Sequence, residues 1–280
     1  AGGYWIDKRA PRWYNYICVR FTDAEGQGML RLCSIASGSK GNCIFVSGEH
    51  SSLIIDAGVC LSRIGKAVTA LGAAPHDILL THTHSDHYRY VPDAVARLGM
   101  TVHGPCSLAG AVRADVGDAF EPFYGDFHVG DITVSAFPVS HDVPCCGYSL
   151  YSDGSKISVV TDLGIMPSST LESISDSDAV LIESNYDPDM LRANPAYPAY
   201  LKARIAGNRG HLSNPAASEC VAYLASKGVR HIMLGHLSEN NNTPDAALSS
   251  ARRALAECGL TGKTRLYVAS QSSASEVIEV

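Results

Sequence analysis

Ile78-Leu79-Leu80-Thr81-His82-Thr83-His84-Ser85-Asp86-His87 joins a short apolar run to three imidazoles and a carboxylate. The run reads as a buried strand, so the polar cluster sits where a strand gives way to a loop. In an extended chain, residues two apart share a face. His82 and His84 can therefore grip one ion while Asp86 and His87, beyond the turn, face a second. Imidazole and carboxylate are ordinary ligands for zinc and manganese. A chance scatter of surface histidines accounts for one of these residues but not for their spacing.

Composition sets bounds around this cluster. A chain of 280 residues can bury a substantial core, as one large α/β domain or two small ones. Its net charge of -6 offers no global basic field to a nucleic acid, although a metal pair attracts phosphate locally whatever the overall charge. The nine cysteines are odd in number and form no CxxC pair. They read as reduced thiols of a cytoplasmic protein, not as a disulfide framework. No apolar run approaches the roughly 20 residues that cross a bilayer, and no basic start leads into an apolar block. The expectation is a protein without a membrane span and without an obligate protein partner.

Residues 1–28 differ from the rest of the chain, with Trp5, Trp13 and several tyrosines among charges and glycines and with weak periodicity. They read as an extension ahead of a folded domain over 29–280; the other reading is an extra strand near Tyr16 to Phe21. From Met29 onward, strands are predicted at Leu30–Ile35, Cys43–Val46, Ser52–Ile55, Ile78–Leu80, Ile132–Phe137, Tyr148–Tyr151, Ile157–Val160, Val180–Ile182, His231–Leu234 and Leu266–Val268. Helical spacing marks Cys60–Leu71 and Val91–Leu98. Asn214-Pro215 opens a helix through Ala225, and Thr243-Pro244-Asp245 opens another to about Glu257, with Gly259 just beyond. Strand-dense first, then strands alternating with helices, the pattern implies an α/β protein with sheets covered by helices: a four-layer αββα sandwich.

Further polar residues stop apolar strands. Asp56 closes Leu53-Ile54-Ile55, His141 follows Val139-Ser140, Asp162 follows Ile157 to Thr161, and His236 follows Ile232 to Gly235. In stacked sheets such ends can converge on one rim, where loops carry function.

With its HxHxDH run and the later His141, Asp162 and His236 in order, the chain from about Leu30 onward resembles the metallo-β-lactamase superfamily. That resemblance implies one divalent ion on His82, His84 and His141 and a second on Asp86, His87 and His236. Asp162 would bridge them, and Asp56 would support the ligand-bearing loop by hydrogen bonds. The superfamily hosts several chemistries, so local features must choose among them. Glu183 in Leu181-Ile182-Glu183-Ser184-Asn185 and His211 in Gly210-His211-Leu212-Ser213-Asn214 resemble the glutamate and histidine of its phosphodiesterase branches, such as the tRNA 3′-processing enzymes. In those, such a histidine would protonate the leaving oxygen. Ser34-Ile35-Ala36-Ser37-Gly38-Ser39-Lys40-Gly41-Asn42, Ser140-His141-Asp142 and Asn185-Tyr186-Asp187-Pro188 narrow the resemblance to the YycJ group, compact bacterial members regarded as 5′ to 3′ exonucleases on DNA. The stretch from Asp162 to His236 is too short for the large inserted domain of relatives such as RNase J.

Together these features point to a dinuclear phosphodiesterase acting on 5′-ended DNA through a hydroxide shared by two zinc or manganese ions, with Asp86 and Asp162 among the catalytic groups. Ser37, Ser39, Asn42 and Ser213 are candidates to meet the terminal phosphate, the first three from a turn that is also explicable as a tight inter-strand connection. Lys202, Arg204 and Arg209 could meet backbone phosphates, and Tyr197 and Tyr200 could stack on bases; a solvated helix face and ordinary packing explain them as well. Cys145 and Cys146, close after His141, read as small packing residues with soft or oxidation-prone character as the alternative. The competing function is a small acyl hydrolase, a lactonase or a thioesterase of the glyoxalase II type. The Glu183 and His211 pair favours phosphorus, while the acidic balance mildly favours a small substrate.

Overall fold

In the computed structural model, which describes residues 29–280, two seven-stranded sheets stack face to face with helices on both outer sides. The first sheet contains β1 (Arg31–Ala36), β2 (Cys43–Ser47), β3 (Ser52–Ile55), β4 (Asp77–Leu79), β5 (Thr101–Pro105), β6 (Phe120–Phe123) and β14 (Ile278–Glu279), in the order β14-β1-β2-β3-β4-β5-β6. The second contains β7 (Phe127–Val129), β8 (Ile132–Pro138), β9 (Cys146–Ser152), β10 (Ser155–Val160), β11 (Ala179–Glu183), β12 (His231–Gly235) and β13 (Arg265–Val268), in the order β13-β12-β11-β10-β9-β8-β7.

Three hydrophobic clusters mark the three interfaces of the expected αββα sandwich. Ile54, Ile78 and Phe45 face α1 (Leu61–Ala70), α3 (Val91–Leu98) and α4 (Ala109–Val116). Leu53, Ile55, Leu79, Leu150, Ile157 and Leu181 meet between the sheets. Ile182, Leu234 and Val160 face α8 (Asn214–Ser226) and α9 (Pro244–Glu257). Adjacent strand residues thus fall into different interfaces, as a pleat buried on both faces requires. The helix starts predicted at Asn214 and Thr243 are capped: the Ser213 side chain accepts from the Ala216 amide and the Thr243 side chain from the Ala246 amide.

Four strands are absent from the sequence reading: β5, β6, β7 and β14. The last three are sheet edges of two to four residues. An edge strand needs no apolar alternation and tolerates proline, as Pro122 in β6 illustrates. Also unpredicted are the helices α4, α5 (Ser168–Ile174), α6 (Pro188–Ala193) and α7 (Ala199–Ile205). The proposed extra strand near Tyr16 to Phe21 lies outside the described residues. All eight described cysteines are free thiols, and no described helix is long and apolar enough to cross a membrane.

Strand direction positions the site. β10, β11 and β12 run parallel, with Val160 beside Ile182 and Glu183 beside Gly235. Asp162, Glu183 and His236 therefore emerge at one rim. In the other sheet β3 and β4 run parallel with Ile55 beside Leu79, which brings Asp56 and Thr81 to the facing rim.

Candidate metal centre and its acid–base pair

The HxHxDH segment leaves β4 extended and then coils into a single helical turn, α2 (Ser85–Tyr88), with His84 as its N-cap residue. The separation of two ligand pairs expected from the sequence is made by that turn. It is pinned by backbone bonds: the Asn42 amide donates to the Asp86 carbonyl at 2.7 Å and the Ala57 amide to the His87 carbonyl at 2.9 Å. Gly58 makes this approach possible, since a Cβ there would lie 1.7 Å from the Asp86 carbonyl oxygen.

Ligand-capable atoms gather in overlapping groups, each within 4.8 Å: His82, His84 and His141; Asp86, His87 and His236; His82, His87 and Asp162; Asp162, Glu183, His211 and His236. His141 Nε2 stands 3.2 Å from His84 Nδ1, so two imidazole nitrogens face each other. Asp162 Oδ2 is 3.1 Å from His87 Nε2, and its Oδ1 is 3.5 Å from His236 Nδ1. Asp86 Oδ2 is 3.5 Å from both His87 Nε2 and His236 Nε2. Buried His82 Nε2 and His141 Nδ1 have no hydrogen-bond partner among the described residues. Converging imidazoles, orphaned nitrogens and carboxylates make a donor set suited to divalent cations.

Charge is distributed unevenly over these groups. Burial holds the His82 and His141 imidazoles below the ordinary histidine range, with neighbouring histidines adding to the effect. At His87 burial acts in the same direction, but the carboxylates of Asp162 and Asp56 outweigh it and raise its value to about 10. His236 likewise rises despite burial, through Asp162, Asp86 and Glu183. In return the Asp86 carboxyl falls to about 2, its burial outweighed by His236 and His87. Asp162 lies well below the usual carboxylate range for the same reason.

Three of the residues at these strand ends have left-handed backbone without being glycine: Asp56 at φ 62°, Asp162 at φ 61° and His236 at φ 54°. Such conformations cost about 1–3 kcal/mol each and persist where surrounding structure over-determines them. The fourth case, Asp153, lies with Gly154 in the tight β9–β10 hairpin, where positive φ is the ordinary requirement of the turn.

Glu183 is fully buried and accepts four hydrogen bonds. Its Oε1 takes His211 Nδ1 at 2.8 Å and His236 Nδ1 at 2.7 Å; its Oε2 takes the amides of Leu163 and Leu212, each at 3.1 Å. The sequence reading paired Glu183 with His211 alone, and its second imidazole is visible only in space. Burial opposes charge on His211, but Glu183 raises it above the ordinary histidine range. Asp56 accepts from the Thr81 amide at 2.9 Å, the Thr81 hydroxyl at 2.8 Å and His87 Nδ1 at 2.6 Å.

The candidate phosphate contacts separate. Ser37 is buried and its hydroxyl accepts from the His236 amide at 2.7 Å. Asn42 is buried too, its Nδ2 within 3.3 Å of Asp86 Oδ2 and 2.9 Å of His87 Nε2, while its Oδ1 accepts from the Gly38 amide. Ser213 serves as a helix cap. Of the four, only Ser39 lines the cleft of about 310 Å³ over the centre, together with His84, Asp86, His211 and Arg204. A glycine-rich turn cannot show from sequence whether its polar side chains face a ligand or their own loop.

The basic residues are engaged as well. Arg204 on α7 reaches Asp142 Oδ2 through Nε at 3.0 Å, and Arg209 donates to the carbonyls of His141 and Asp142. Asp142, given no role from sequence, holds its Oδ1 3.3 Å from His84 Nε2 and 3.4 Å from His141 Nε2. Its position directly after His141 was the available signal. Lys202 donates to the Arg192 carbonyl, Tyr197 accepts from Asn240, and Tyr200 is exposed. Both Cys145 and Cys146 are buried with thiols raised by burial, the latter to about 12; Cys146 packs in the inter-sheet core, while Cys145 Sγ stands 3.6 Å from His82 Nδ1.

Comparison with known proteins agrees with this fold. The family described as the beta-lactamase superfamily domain matches residues 54–237. The chain is 32% identical over 244 residues to the exodeoxyribonuclease YycJ of Bacillus anthracis, covering 82% of this chain and 90% of that one. It is 30% identical over 262 residues to the exodeoxyribonuclease WalJ of Streptococcus pneumoniae serotype 2, covering 88% and 96%. Among solved structures, the metallo-β-lactamase fold protein YhfI from Bacillus subtilis superposes with a TM-score of 0.70 at 15% identity, over 90% of this chain and all of that one.

Proposed function

Given that the chain belongs to the metallo-β-lactamase superfamily and is a metal-dependent hydrolase, we propose that it is a dinuclear phosphodiesterase that degrades DNA from the 5′ end. The observation that carries the reading is the Glu183 to His211 hydrogen bond at the edge of the cation-ready cluster, 2.8 Å long. His211 is partly open to the cleft while Glu183 is sealed beneath it. The exodeoxyribonuclease relatives support DNA as the substrate.

His82, His84 and His141 would hold one ion, Asp86, His87 and His236 the other, and Asp162 both; nitrogen and oxygen donors of this kind take zinc or manganese. Such ions neutralise phosphate charge and make water a competent nucleophile near neutral pH. The protein's own groups do the rest. With Nδ1–H committed to Glu183, His211 presents Nε2 to the cleft, and the glutamate's charge keeps a proton on the ring to be delivered to the leaving oxygen. Asp56 fixes His87 and Thr81, and Glu183 fixes His236, so the ligand rings stand ready without rearrangement. Ser39 offers a hydroxyl to the terminal phosphate from the cleft wall.

The direct test is release of mononucleotides from 5′-phosphorylated single-stranded DNA with added manganese, beside His84→Ala and His211→Ala. Degradation from the 5′ end by the wild type and failure of both variants is expected. An inert wild type that instead cleaves a thioester or lactone in a His84-dependent way would hand the same centre to acyl chemistry.

A further inference from the structure

A second cavity, about 560 Å³ in volume, opens beside the metal-centre cleft and shares His141 with it as a common wall. Its character is different. Where the first cleft is lined by imidazoles and carboxylates, the second is walled by Phe123, Tyr124, Phe137 and Pro144, with Arg209 at the junction. The aromatic walls come from both sheets: Phe123 ends β6 and Phe137 lies near the end of β8. Phe123 stacks on Phe127 at 4.9 Å, which fixes one wall from behind. Gly147 leaves room for Phe137, since a Cβ there would lie 2.4 Å from its ring. Tyr124, in the loop joining the two sheets, is 92% exposed, although a large amphipathic ring gains by covering its faces.

We propose that this groove seats a nucleobase of the strand whose phosphate lies over the metal centre. The inference rests on the phosphodiesterase reading and adds the place where the nucleotide beside the cleaved bond is held. A neutral, flat, aromatic group matches these walls, and the groove's volume lies in the range of small-molecule sites. A polar anchor stands at the junction: Arg209 is exposed while its Nε and Nη2 hold the His141 and Asp142 carbonyls, so its positive charge sits where base groove and phosphate cleft meet. Stacking reads the π-face that every base has, so the groove serves DNA of any sequence.

The test uses 5′-phosphorylated single strands in which a tetrahydrofuran abasic residue replaces each of the first four nucleotides in turn. Initial kcat/KM values are measured for the wild type, Tyr124→Ala and Phe137→Ala, with thermal unfolding as a check on folding. For the wild type a loss of about tenfold is expected at one abasic position and little at the others. Each variant should lose a similar factor on the natural strand and nothing further on that abasic strand. A wild type indifferent to abasic substitution overturns the inference while leaving the nuclease reading intact, as do variants that lose equally on natural and abasic strands. A wild type that degrades no strand removes the nuclease reading and this one with it.

Discussion

The two halves of the candidate metal centre are built from the same residue types and held in opposite ways. On one side His82, His84 and His141 face each other, with the Thr81 hydroxyl and Asp162 near His82, and with Asp142 beside His84 and His141 shared with exposed Arg204. On the other, His87 and His236 are each clamped from behind by a buried carboxylate, Asp56 and Glu183, and faced by Asp86 and Asp162 in front. The first half is open at His84 and Asp142 while His82 and His141 are buried, and its rings have few anions about them; the second is closed and ion-paired. A buried imidazole nitrogen without a partner costs about 1–3 kcal/mol, whereas a buried carboxylate without a positive partner, proton or metal, costs far more. The comparison teaches that the second half is also part of the protein's structure, and that the first leans on it through Asp162 and through Thr81, whose hydroxyl meets both Asp56 and His82.

The largest effect expected comes from Asp162, the carboxylate grouped with His82 of one half and with His87 and His236 of the other. Asp162→Ala should reduce turnover by at least about a thousandfold and lower the bound metal per chain, measured by elemental analysis beside rate. Normal turnover would refute its bridging role. Glu183→Gln comes next. Four donors converge on its two carboxylate oxygens, and a glutamine offers one oxygen and one NH2, so either two donors face a donor or both imidazoles give up the Nδ1 proton to accept. Each such conflict costs about 1–3 kcal/mol, so a clear fall in Tm is expected together with a loss of about a hundredfold in kcat. A variant as stable as wild type and equally active would mean that His236 and His211 need no anchor.

Legibility from the sequence follows the same division. The fold was readable because most of its strands are apolar runs, and such runs announce themselves without neighbours; the short edge strands β6, β7 and β14 had little to bury and left no signal. Four of the metal-ligand candidates were readable from their close spacing in one run after β4, and Asp162 and His236 because each follows an apolar strand, parallel strands delivering their ends to one rim. What holds those ligands was only half visible. Asp56 stood out as a strand-ending aspartate, but Ser37 and Asn42 resembled ligand contacts because a polar turn looks the same whether it faces outward or braces its own loop. The left-handed backbone of Asp56, Asp162 and His236 has no sequence mark, since each would more easily be a glycine.

Removing metal should separate the halves by pH. In the metal-free protein His87 carries a value raised to about 10, against about 6.5 for an unperturbed histidine. A raised folded value gives stabilisation that is whole below the unfolded value and lost as pH rises through the folded one. His236 is raised by the same kind of partners, whereas His82 and His141 are lowered and stay neutral from pH 7 upward. Chelator-treated protein should thus lose several degrees of Tm between pH 7 and 10, and reloaded protein less, because an ion then supplies the charge the protons supplied. Parallel slopes for the two forms would mean that the carboxylates find their compensation elsewhere.

The smallest effect belongs to the open half. Arg204 pairs with Asp142 at the cleft edge, where the guanidinium is largely in water, and exposed pairs contribute about 0–1 kcal/mol. Arg204→Ala should leave Tm within a degree or two of wild type. If Arg204 also meets the strand, its loss together with Lys202→Ala should weaken DNA binding and flatten the dependence of log Kd on log salt, since each phosphate contact removed lowers that slope by about 0.7 for a single strand. A slope unchanged at constant Tm would confine Arg204 to holding Asp142, and the cleft edge would then be a brace for His84 and His141 with no grip on the substrate.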